Sequence, residues 1–75
     1  MSRDNFLKTY REVLEQLYDW AKDTAKLDKY MAKVRGTIAG ENNAWHSQGP
    51  AVDAAWARIG GTGKPTLKAL RGLQA

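Results

Sequence analysis

Apolar residues in the first half of the chain fall at Phe6, Tyr10, Val13, Leu17 and Trp20, and then at Leu27, Met31, Val34 and Ile38. The steps alternate between four and three, with Thr24 in the one weak slot. A strand would alternate with period two; steps of three and four put every apolar residue on one side of a helix. Residues 4–35 contain neither Gly nor Pro and are rich in Leu, Ala, Lys, Glu and Asp, which favour helix. Asp4 or Ser2 is placed to cap the start. Asp4–Lys8 and Arg11–Glu15 are opposite charges one turn apart, and Gly36 and Gly40 mark the expected end.

Two architectures produce this stripe. One unbroken helix over the span would be about 53 Å long, too long for the remaining residues to cover, and would need a second chain in a coiled coil. The alternative is a break near Ala21–Ala25, where Asp23 and Thr24 are good caps and Asp19 and Asp23 repel across one turn. Tyr10, Trp20, Thr24 and Met31 are poor seam residues, so the reading favours two antiparallel helices with Trp20 in the core.

Residues 40–50 are rich in Gly, Asn and Ser and read as a loop. Trp45 is expected there as a lid on the core edge, with His46 exposed beside it. Pro50 then suits the first turn of a helix, and Val52, Ala55, Trp56 and Ile59 make one apolar face. Gly60-Gly61-Thr62-Gly63 is a turn that uses positive φ. Pro65 opens a last helix, capped by Thr62 or a neighbour, with Leu67, Leu70 and Leu73 facing inward. The predicted helices are 4–21, 24–39, 50–59 and 64–73. The expected fold is all-α: one compact four-helix domain over residues 1–75, an N-terminal helical hairpin plus a C-terminal helix-turn-helix-like pair.

Composition narrows the chemistry. The chain has 75 residues, 43% hydrophobic and 27% charged, a globular balance with a small core. It has no Cys and a single His, His46, which removes disulfides, thiolate chemistry and a multi-histidine zinc site within one chain. No apolar run approaches the ~18 residues of a membrane span, and residues 1–5 lack the apolar stretch of a signal peptide. The expectation is a cytoplasmic protein with no membrane association, no enzymatic activity and no cofactor or metal, present as a monomer or weak homodimer. Gly60–Thr66 superficially suggests a phosphate-binding loop. The Walker A pattern, however, needs Gly where Arg58 stands and a hydroxyl where Pro65 stands.

Charge points to a partner. Twelve Lys and Arg oppose eight Asp and Glu, a net charge of +4. From Arg58 onward the chain carries Arg58, Lys64, Lys68 and Arg71 and no acid. Such a basic segment suits an anionic partner. The helices flanking the glycine turn resemble a helix-turn-helix, in which a second helix enters the major groove; Ala57, Gly61, Leu67 and Leu70 can fill its small, turn and inner positions. On this reading the protein is a nucleic-acid-binding regulator whose Arg58, Lys64, Lys68 and Arg71 meet phosphates. The competing reading is a protein-binding accessory or inhibitor module, of the kind a mobile element encodes. It would act through the aromatic-rich N-terminal helices, where Tyr18 with Leu7 and Leu14 would form a second apolar face.

Overall fold

The computed structural model describes residues 3–40, 49–63 and 65–73, and for residues 37–40, Leu67 and Arg71 the backbone alone. Helix α1 runs over Arg3–Leu17, a 3-10 turn over Asp19–Lys22, α2 over Thr24–Gly40, α3 over Gly49–Arg58 and α4 over Leu67–Arg71. All regular structure among the described residues is helical. The longest dimension of the molecule is 30 Å, so the single 53 Å helix is excluded. None of these helices is long and apolar enough to cross a membrane. Trp45, His46 and Lys64 lie outside the described residues.

The break falls close to the expected place. Tyr18 is extended, at φ −128° and ψ 129°, and the 3-10 turn closes when the Asp23 N–H donates to the Trp20 carbonyl at 3.1 Å. Asp23 Oδ1 then accepts from the amides of Ala25 and Lys26 at 3.1 and 3.3 Å, which caps the open end of α2. Three rungs set α1 against α2: Asp4 with Arg35 at 3.3 Å, the Tyr10 hydroxyl with that of Tyr30 at 2.9 Å, and Arg11 with Asp28. As α1 advances through these rungs α2 retreats, so the two helices are antiparallel.

The hairpin is not the main packing unit. α1 packs most extensively on α3, while α2 packs on both α1 and α4. Ala51 and Ala55, one turn apart on α3, are fully buried, and side chains that small let α3 come close to α1. Trp56 meets the Phe6 ring edge-on at 6.4 Å, and Phe6 in turn stacks on Tyr10 at 5.8 Å. Val13, Leu14, Leu27, Val34 and Leu70 complete the interior.

Several expectations are corrected here. Leu7 and Leu14 are core residues and form no second outward face. Leu17, placed in the stripe, is 53% exposed. It sits in the last turn of α1, just before the break. Trp20 is half-buried and packs on the rim of the core. Gly36 does not end a helix, since α2 continues to Gly40.

The glycine turn follows expectation at two positions and adds a third reason. Gly60 and Gly63 have φ of 83° and 72°. The Gly60 amide donates to the Ala57 carbonyl at 3.1 Å and the Gly61 amide to the Trp56 carbonyl at 2.9 Å, the paired bonds of a Schellman stop. Gly61 also lies against the Trp56 indole, where any Cβ would overlap the ring. The indole N–H donates to the Thr62 carbonyl at 3.3 Å and holds the turn in place. The last helix begins later than expected. Thr66 is its cap, accepting from the Ala69 amide at 3.0 Å, so Pro65 stands outside the helix instead of within its first turn.

Candidate nucleic-acid interface

Charge is unevenly divided among the helices. On α1, Arg3, Lys8 and Arg11 balance Asp4, Glu12 and Glu15; on α3, Arg58 balances Asp53. On α2, Lys26, Lys29, Lys33 and Arg35 face a single acid, Asp28. The segment that ends in α4 adds Lys64, Lys68 and Arg71 with no acid. α1 packs chiefly on α3 and these two helices are balanced, whereas α2 packs on both α1 and α4, and the excess positive charge lies on α2 and the segment ending in α4; Asp28 and Arg35 of α2 are paired with α1.

Position decides which of these cations are committed elsewhere. Arg11 is held by Asp28 and by Glu15, the latter at 3.6 Å, and its guanidinium is kept charged to higher pH by the hydrogen bond to Asp28 and the nearby carboxylates. Arg35 meets Asp4, and Lys22 meets Asp19 at 3.4 Å. Lys26, Lys29 and Lys33 are spaced i, i+3, i+7 along α2 and are all exposed, off the stripe of buried Leu27 and Val34; Lys33 has an interaction of its own. Sequence alone does not set these three lysines apart. Their signal was their spacing, and it acquires meaning only once α4 is seen to lie against α2.

The four residues expected to meet phosphate do not all share one element. Lys68 is exposed on α4. Arg58 is exposed at the end of α3, and its Nη2 donates to Gln16 Oε1 of α1 at 2.7 Å. Lys64 and the Arg71 side chain lie outside the described residues. The two that are placed thus hang from different helix pairs, Lys68 on the positive one and Arg58 on the balanced one.

A shallow, open depression lies over the seam between α1 and α2, lined by Asp4, Leu7, Lys8, Arg11, Met31 and Arg35. Its two arginines are already ion-paired. Among the described residues no group of three or more carboxylate or imidazole side chains is arranged to hold a metal ion. Tyr10 is fully buried, and burial followed by its bond to Tyr30 pushes its hydroxyl far above the ordinary tyrosine range. It is a structural group, sealed from any ligand. No protein-family model, no curated protein and no solved structure matches this chain.

Proposed function

We propose that the chain is a non-enzymatic nucleic-acid-binding protein that docks through its α2–α4 pair. The observation that carries this reading is the segregation of charge: the excess positive residues lie on α2 and in the segment ending in α4, and these two helices pack on one another. Lys26, Lys29, Lys33, Lys64, Lys68 and Arg71 would meet phosphates, and Arg58 would add a flanking contact. Each phosphate neutralised releases counterions, so the affinity should fall steeply with salt. Leu17 is the one large hydrophobic side chain exposed among the described residues, well short of the apolar area that marks a typical protein-binding face.

The helix-turn-helix form of this reading uses α3, the glycine turn and α4. Here α4 is only five residues long and is backed by α2, so phosphate contact is a better use for it than reading base edges. The test is a gel shift at low salt with wild type, Lys68→Glu/Arg71→Glu and Lys26→Glu/Lys29→Glu, each checked for folding by circular dichroism. Both double variants should lose the shift while keeping the helical spectrum, and Arg58→Gln should weaken it less. A folded wild type that shifts no nucleic acid, or double variants that bind as wild type does, would overturn the proposal.

A further inference from the structure

Three half-buried rings meet where the chain turns from α1 into α2. Tyr18 stacks on Trp20 with centroids 5.8 Å apart and planes 28° apart, and Trp20 meets Tyr30 edge-on at 5.4 Å. The contrast with Trp56 is informative. Trp56 is 8% exposed and its indole N–H is bonded to a carbonyl, as a core tryptophan requires. Trp20 is more exposed, and none of the described residues accepts from its N–H. Exposed Leu17 adjoins Tyr18 in sequence and extends the apolar rim.

One of these rings, Tyr30, belongs to α2, the helix that carries the lysines. Tyr30 lies on α2 one turn after Lys26 and one turn before Lys33, and residues so spaced have Cβ atoms about 5–6 Å apart. Tyr30 therefore stands between two lysines on α2, with its hydroxyl turned inward to Tyr10 and its ring half-buried. A duplex offers such a surface only its phosphates, because its base faces are stacked on each other. An unpaired strand offers both phosphates for the lysines and bare base faces for the rings.

We propose that the Tyr18–Trp20–Tyr30 cluster is a stacking platform for unpaired bases, with the phosphates of the same strand on the lysines of α2, so that the preferred ligand is single-stranded nucleic acid. This rests on the nucleic-acid reading of the α2–α4 pair and specifies its ligand. The platform tolerates any sequence, since every base has a π-face, and the cations set the strand's path along α2.

The test is fluorescence anisotropy at low salt with three labelled ligands: an oligothymidylate of about 12 nucleotides, an abasic strand of the same length, and a duplex of the same length. Wild type should bind the oligothymidylate about tenfold or more tighter than the abasic strand, from stacking alone. Trp20→Ala should remove that preference and leave abasic binding unchanged, and Trp20→Phe should keep part of it. Equal wild-type affinity for the two strands overturns the platform while leaving the phosphate-binding face intact, and this comparison needs no variant to fold. A preference that survives in a folded Trp20→Ala also overturns it. If none of the three ligands binds, the nucleic-acid reading falls too, and a protein partner becomes the better account of the half-buried rings.

Discussion

The hydroxyl of Tyr10 lies in the core 2.9 Å from that of Tyr30, and burial holds it in its neutral form. The unfolded chain ionises this tyrosine at about pH 10. Its contribution to stability is therefore complete below that pH and drains away as pH climbs above it, because only the unfolded state releases the proton. Tyr10→Phe should cost about 1 kcal/mol at neutral pH. Between about pH 10 and 12 it should lose less stability than wild type, as urea unfolding at the two pH values would show. Gly61 is a second residue whose role is local. A methyl group there meets the Trp56 indole, so Gly61→Ala should cost about 1–3 kcal/mol and lower the melting temperature by several degrees. Sequence alone suggests a glycine turn that uses positive φ, which the structure places at Gly60 and Gly63. It carried no sign of the ring over Gly61, because that contact depends on which way Trp56 points.

At the scale of elements, the start and stop signals were the most readable part of the chain. The break and the Asp23 cap follow from side-chain chemistry within a few residues, and so does the Schellman stop after α3. The exceptions have local causes. Thr66 offers the Ala69 amide a hydroxyl, which fixes the start of α4 two residues after the expected proline. Thr66→Ala removes that acceptor and should cost about 1 kcal/mol, visible as a lower urea midpoint. Gly36 was read as a terminator, yet α2 continues past it and nothing lies within 4 Å of a Cβ built there. Gly36→Ala should therefore stabilise the protein by about 0.5–1 kcal/mol, measured in the same way, since it only removes conformational freedom from the unfolded chain.

At the scale of the molecule, the apolar stripe showed which face of each helix is buried but not what buries it. The stripe ran on through Leu17 and Trp20, whereas Leu17 is exposed and Trp20 only half-buried, and it missed Leu7 and Leu14, which lie inside. The same gap hid most of the candidate interface. Lys68 was legible as part of a basic segment, but the lysines of α2 looked like an ordinary solvated helix face. Their significance depends on the packing of α4 against α2 and of α1 against α3, long-range pairings that no local spacing encodes.

The central claim is that the α2–α4 pair carries the binding charge and the α1–α3 pair does not. The salt dependence of nucleic-acid affinity tests it most directly, because its slope counts phosphate contacts, at about −0.9 per contact on duplex DNA. Neutralising Lys26, Lys29 and Lys68 to Gln together should flatten the slope of log affinity against log salt by about 2–3. Neutralising Arg3 and Lys8, on the balanced pair, should leave it unchanged. Equal flattening by the two sets, or none by the first, would contradict the account.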